Sequence, residues 1–432
     1  MGRTDYFTVI AGWLQGEPVI GECFIDEARG TEVISFEYDR NWVASHPDLL
    51  LDPDLLPMPG RQYVPRGKFS FGFLSDAAPD RWGRKLQDRR ELLDARAEHR
   101  TARKLMESDY LLGVHDGGRM GGLRFRDKAG NYLSERENLA APPITELRKL
   151  QDAVYSYENN TEKDEEKWFR SLLEPGSSLG GARPKANVLE PGGSMWIAKF
   201  PSRNDVFDVG AWEMVAHDLS ALCGVKVPPA RLERFSEGGS TYLVRRFDRV
   251  QGAESSASDP DGVSALKRQH FASAMNLLGE TDGSAALHSY LDLVGILESS
   301  GGATLEDVQQ LWKRLVLSIC ISNTDDHLRN HGFLLDPEKD TWHLSPAYDV
   351  NPDPEKAWLS LAIDFDDPSK DLRLALDVSD YFRFTADEAR ETAMKIQTIV
   401  RKNWQFLAGK YSVSRSEQER MAPAFSECER QL

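Results

Sequence analysis

Two carboxylates and two imidazoles crowd one short polar stretch, Ser322 to Leu335, which reads SNTDDHLRNHGFLL. Asp325 and Asn330 lie five positions apart in it, and Asp349 follows in Leu344 to Pro352, LSPAYDVNP. A carboxylate in such a loop can accept or orient the proton of an attacking hydroxyl. A carboxamide oxygen one loop-turn further on can ligate a hard divalent cation without adding charge, and a second carboxylate can share that ion. Activating a hydroxyl and holding Mg²⁺ are the two demands of phosphoryl transfer.

The offset of Asp325 and Asn330 equals that between the catalytic aspartate and the metal-binding asparagine of protein-kinase catalytic loops. Asp349 comes where a kinase places its second metal ligand, just beyond a short apolar hairpin. Asp, Asn and His in loops also serve simply as turn-formers and caps, so the spacing alone leaves that reading open. His327 and His331 would suit a metal-dependent hydrolase, but their spacing is not that of a zinc-binding helix. His327 is expected to brace the loop.

Phosphate chemistry also needs groups that hold the nucleotide. Upstream stands Gly176 to Lys185, GSSLGGARPK, whose small residues would let backbone N–H groups approach phosphate oxygens, with Arg183 or Lys185 supplying charge. A plain glycine turn is the competing reading, since the string is neither a Walker A motif nor the usual kinase glycine loop. Lys199 then lies in an otherwise apolar strand, Ile197-Ala198-Lys199-Phe200. It stands ahead of a helix bearing Glu213 that could brace it.

These residues need elements to position them. Apolar runs punctuated by turn residues predict a small antiparallel sheet over Tyr6 to Tyr38. Pro79 to Leu112 reads as helical, and Ser156 to Glu166 as a solvated linker or helix face. Strands are expected at Ala186–Leu189, Met195–Phe200 and Thr241–Phe247, with a helix over Val209–Leu222 ending at Gly224. Gln251 to Gly262 reads as a surface loop. Thr304 and Thr385 are placed to cap helices, the first carrying Leu305, Val308, Trp312, Leu315 and Ile319 on one stripe. The fold class is therefore α+β: a bilobal, protein-kinase-like fold with a β-rich N-lobe, a helical C-lobe and an extra small N-terminal β module. The expected division is 1–125, 126–247 and 248–432.

Composition narrows the function. A net charge of −16 over 432 residues opposes independent binding to a phosphate backbone. Cys23, Cys223, Cys320 and Cys428 show no paired spacing, which suits a reducing compartment. The absence of a long apolar run and of a signal-like start leads us to expect a cytoplasmic protein without membrane contact.

With these residues in view, the chain resembles the HipA-like serine/threonine kinases of bacterial toxin–antitoxin modules. PDRWGRKL (79–86), SSLGGARPKANV (177–188), IAKF, LVRRFDR (243–249), RQHFASAMNLLG (268–279), SNTDDHLRN and PAYDV follow the family's order. The resemblance implies ATP and Mg²⁺ as cofactors, Asp325 as catalytic base, and Asn330 and Asp349 as metal ligands. It implies ATP contacts from Ser178, Gly180, Gly181, Ala182, Lys185 and Lys199, and adenine contacts from backbone groups of Arg245 and Phe247. It implies autophosphorylation at Ser178, or at the adjacent Ser177, with a phosphate that would repel ATP and switch the enzyme off. The implied partners are a HipB-like helix-turn-helix antitoxin, operator DNA reached through it, and a protein substrate such as an aminoacyl-tRNA synthetase. Two departures stand out. Arg245-Arg246 replaces a site that is acidic in some members, and Asp326 replaces a small residue, which is expected to alter rate or metal binding. A kinase for a lipid or small-molecule acceptor, and a non-catalytic antitoxin-binding corepressor, are the alternatives.

Overall fold

A computed structural model describes residues 4–28, 30–134, 141–158, 181, 183–236, 238–251, 266–284, 288–302 and 304–431. The chain divides into two compact units, each assembled from separate segments. The first comprises Met1–Ser202, Arg245–Ala272 and Pro337–Asp340; the second comprises Arg203–Val244, Ser273–Asp336 and Thr341–Leu432. The three consecutive stretches expected from sequence follow chain order rather than this contact pattern.

In the first unit, strands β1 (Thr4–Ala11), β2 (Val19–Ala28), β3 (Thr31–Tyr38), β4 (Gln62–Tyr63) and β5 (Leu123–Arg126) form an antiparallel sheet in the order β4-β3-β2-β1-β5. The alternation in FTVI places Phe7 and Val9 inward with Phe36 and Phe125, all essentially inaccessible to water. Phe7 meets Phe125 edge-on at 5.0 Å between ring centroids. A bulge between Val9 and Ile10 shifts the pairing so that Ile10 faces Val19. Next to it, Gly21 has no room for a side chain: a Cβ there would lie 2.2 Å from the Glu37 carbonyl. The helical stretch expected from Pro79 is two helices, Arg81–Ala97 and Glu107–Leu112. They are separated where His99 takes a left-handed φ of +53° and Arg100 folds back on Glu91.

A buried charge cluster ties this unit together. Asp248 accepts from Arg246 Nε at 2.8 Å, Arg249 Nη1 at 2.7 Å and the Gly121 amide at 2.8 Å. Arg246 Nη2 donates to Asp248 as well and to the Arg119 carbonyl, and Nη1 to the Gly118 carbonyl and Asn187 Oδ1. Burial opposes ionisation of Asp248, but the two arginines outweigh it and hold the carboxyl down at about 2. Of the Arg245-Arg246 pair that replaces a site acidic in some family members, Arg246 is thus a buried structural residue, and Arg245 faces solvent.

The second unit is mainly helical. Its Val209–Leu222 helix begins at an Asp208 cap and is followed by Gly224 at a φ of +74°. The Ala230–Ser236 and Gly239–Arg245 strands pair antiparallel behind it. The Leu305–Ile321 helix starts at Thr304, whose hydroxyl accepts the Asp307 amide. Val308, Leu311, Trp312, Leu315 and Ile319 all lie fully buried along it. Burying each such side chain contributes about 1.5–3 kcal/mol, and Trp312 also donates to the Ala375 carbonyl at 2.8 Å. The Ala386–Lys410 helix carries the expected capping box of Thr385 and Glu388. It stacks Trp404 on Phe425 at 4.4 Å. Among the described residues no helix is long and apolar enough to cross a membrane. All four cysteines are buried and unpaired.

Candidate active site

The Leu305–Ile321 helix stops at Ser322, which adopts a left-handed φ of +50°. That reversal sends the chain into the Asn323–Asn330 loop beside the helix end. Leu328–Asn330 then makes one 3₁₀ turn before the Gly332–Asp336 strand, which hairpins onto Thr341–Leu344. Asp325 projects from the loop with 65% of its side chain exposed, whereas Asn330 is buried. Asn330 Nδ2 donates to the Asp325 carbonyl at 2.7 Å, closing the five-residue turn. Its Oδ1 is buried without a hydrogen-bond partner among the described residues.

Asp349 follows the hairpin at a φ of +56°, a conformation that non-glycine residues adopt only where the surroundings enforce it. Two bonds tie the segments on either side of it to the loop. Tyr348 donates its hydroxyl to the Arg329 carbonyl at 2.7 Å, and the Asn351 amide donates to Asn323 Oδ1 at 3.1 Å. Asn351 Nδ2 reaches Asp349 Oδ1 at 3.4 Å, and its own Oδ1 is buried without a partner among the described residues. Burial pushes the Tyr242 hydroxyl well above its ordinary range, and the carboxylates of Glu213 and Asp349 push the same way. The second unit thus gathers Asp325, Asn330 and Asp349 around one loop.

Beneath the loop lies a cavity of about 20 Å³, lined in part by Arg314, Asp326, Asn330, His331 and Tyr348. It has room for a water molecule. Burial pushes His331 down to about 3, helped by the Arg314 charge, so its ring is neutral. Burial pulls Arg314 down to about 10. Arg314 donates to the Ser345 carbonyl, while its Nε and Nη1 lack partners among the described residues. Burial pushes the neighbouring Asp326 carboxyl up to about 7.

The other expected site residues fall in different places. Lys199 is buried near the end of the Met195–Lys199 strand in the first unit, directly opposite Lys185 in the hairpin register. Like charges at such a position repel, and Asp80 compensates: it pairs with Lys185 Nζ at 2.9 Å, both side chains almost wholly buried. Lys185, expected among the phosphate contacts, is therefore committed to a buried ion pair. Gly181 sits at a φ of +89° and its carbonyl accepts the Trp82 amide at 3.4 Å. Arg245 is exposed, and Phe247 packs its ring 6.1 Å from that of Phe271. Ser177, Ser178, Gly180 and Ala182 lie outside the described residues, as does most of the expected 251–262 loop. His327, expected as a brace, uses its carbonyl to accept the Asn330 amide at 2.8 Å. Sequence reasoning passed over Lys356, which stands 3.9 Å from Asp325, because no fixed spacing marks a cation thirty-one residues downstream. No group of three or more metal-ligating His, Cys, Asp or Glu residues occurs among the described residues. Two acids and a carboxamide would escape such a pattern.

Comparison with known proteins decides the family. The model of the HipA-like C-terminal domain matches residues 177–404, just over half of the chain. The chain belongs to the HipA-like family. Its sequence is 28% identical over 169 residues to Y4dM of Sinorhizobium fredii, a protein named as a kinase; the match spans 37% of each chain. The HipA of Shewanella oneidensis, solved with HipB and its operator DNA, superposes with a TM-score of 0.64 at 16% identity. That superposition covers 98% of this chain and 96% of the other, so this chain shares the HipA fold. The Helicobacter pylori kinase CtkA aligns over 56% of this chain and 94% of its own at 14% identity, with a TM-score of 0.35, too slight a likeness to argue from.

Proposed function

We propose that this chain is an ATP-dependent serine/threonine-protein kinase. The observation that carries the reading is the pairing of an exposed Asp325 carboxylate with a buried Asn330. Asn330 fixes the Asp325 backbone through Nδ2, and its Oδ1 has no partner among the described residues. An orphaned, buried carboxamide oxygen beside an enforced left-handed aspartate is an oxygen-only donor set, which fits Mg²⁺ and does not fit zinc. Asn330 and Asp349 would hold the ion, which when bound neutralises charge on the phosphate oxygens. Asp325 orients the acceptor hydroxyl and takes its proton, and its exposure leaves room for a protein side chain to approach. Lys199 is the residue suited to the ATP phosphates, and the backbone at Arg245 and Phe247 to adenine.

Family membership supports a toxin paired with a small helix-turn-helix antitoxin of the HipB kind, which would bring this acidic chain to operator DNA. It also supports a translation-related protein, such as an aminoacyl-tRNA synthetase, as acceptor. Autophosphorylation at Ser178 or Ser177 would switch the enzyme off. The test is incubation of the purified chain with labelled ATP and Mg²⁺, followed by phosphosite mapping. Label on serine or threonine, including Ser177 or Ser178, supports the reading. A chain that binds its antitoxin yet transfers no phosphate to any protein contradicts it.

A further inference from the structure

Asp325 and Asp326 are adjacent and face opposite surroundings. The first is largely exposed, while Asp326 is 2% exposed. Three segments of the second unit meet at the buried carboxylate. From the start of the Tyr290–Ser299 helix, Tyr290 donates its hydroxyl to Asp326 Oδ2. From the segment beyond Asp349, the Ser360 amide donates to Asp326 Oδ1 at 3.3 Å. The catalytic loop contributes Asp326 itself.

Further bonds close the joint. Ser360 Oγ donates to the Thr324 carbonyl at 2.8 Å, and Thr324 Oγ1 reaches Asp353 Oδ2 at 3.0 Å. The Asp353 amide donates to the Ser322 carbonyl at 3.0 Å. Tyr290 and Ala362 are joined through the Tyr290 amide at 3.0 Å, and Ala362 donates in turn to the His288 carbonyl at 3.0 Å. Asp325 thus lies between two residues, Thr324 and Asp326, that are both bonded to Ser360.

We propose that Asp326 is a positioning residue for Asp325, clamping the Tyr290 hydroxyl and the Ser360 amide so that the loop holds the Asp325 carboxylate outward. This deepens the kinase reading and rests on it. A carboxylate without a paired cation is expensive to bury, and burial raises this one to about 7. An alanine or glycine would fill the position without that penalty, so the chain carries it in exchange for two directed bonds. Those bonds reach the two segments that flank the loop. An error of about 1 Å in the placement of a reacting group costs on the order of a hundredfold in rate.

The test compares the parent chain with Asp326→Ala, Asp326→Asn and Tyr290→Phe. It measures the phosphoryl-transfer rate at saturating ATP and Mg²⁺, the affinity for a non-hydrolysable ATP analogue, and hydrogen–deuterium exchange over residues 353–362. Asp326→Ala is expected to lower the rate about a hundredfold with analogue affinity within about twofold. Tyr290→Phe should lower it about tenfold, and Asp326→Asn, which keeps an acceptor for Ser360, should retain most of it. Combining Tyr290→Phe with Asp326→Ala should cost no more than Asp326→Ala alone. A folded Asp326→Ala variant within twofold of the parent, or losses that multiply in the double variant, would overturn the assignment. Should Asp326→Ala fail to fold, Tyr290→Phe decides by the same measures. A parent that transfers no phosphate overturns the kinase reading itself. Exchange then still decides the brace: faster exchange over 353–362 in Tyr290→Phe upholds it, and unchanged exchange overturns it.

Discussion

Two of the buried carboxylates, Asp248 in the first unit and Asp326 in the second, are surrounded in opposite ways. Asp248 receives four hydrogen bonds, three from Arg246 and Arg249 and one from the Gly121 amide, and is held ionised at about 2. Asp326 receives two, from a phenol and an amide, and is pushed to about 7. The cavity it lines also holds donors and an acceptor left without partners among the described residues: Arg314 Nε and Nη1 and Asn330 Oδ1. A polar cluster that closes on itself spends its groups on the fold. One with open valences keeps groups available for something else, and perturbed acids with unpaired neighbours gather where chemistry is done.

The contrast can be broken by substitution. Asp248→Ala leaves Arg246 and Arg249 buried without their anion and should cost about 3–5 kcal/mol in denaturant unfolding; a loss under about 1 kcal/mol would remove the distinction. Asn330→Ala should raise the Mg²⁺ concentration for half-maximal phosphoryl transfer by about tenfold or more, with a stability loss of about 1 kcal/mol from the missing Nδ2 bond. An unchanged Mg²⁺ requirement would strip Asn330 of its role.

Acidity sharpens the comparison because the two groups carry opposite signs. The folded state lowers Asp248, so its contribution is present above about pH 4 and is lost as pH falls toward 2. The folded state raises Asp326, so its contribution is full below about pH 4 and is lost as pH rises through about 7. Unfolding measured from pH 4 to 8 should therefore show a decline in the parent that is missing in Asp326→Asn. The smallest effect is expected at Arg314. Because two of its donors lack partners among the described residues, Arg314→Met should change stability by less than about 1 kcal/mol. Arg246→Met, which breaks a fully bonded pair, should cost about 3 kcal/mol or more.

What was legible in the sequence was local. Thr304 and Thr385 marked helix starts because a capping hydroxyl acts within one turn. Asp325 and Asn330 showed through because a five-residue turn joins them. The Ala230–Ser236 strand was not foreseen, since ARLERF alternates long charged residues that read equally well as a helix surface. The ion pair of Lys185 was not foreseen because its partner, Asp80, is 105 positions away. Asp326 read as a departure that alters rate or metal binding, and only Tyr290 and Ser360, thirty-six and thirty-four residues off, show that it turns inward. Through-space partners of buried charges leave no periodic trace.

The most direct measurement is transfer of the ATP γ-phosphate by the purified chain beside Asp325→Gln, at equal folded concentration and saturating Mg²⁺. The account predicts that Asp325→Gln loses at least a hundredfold in rate while melting at the same temperature as the parent, because Asp325 is exposed and carries no part of the core. Equal rates in the two proteins would contradict the assignment of Asp325 as the base.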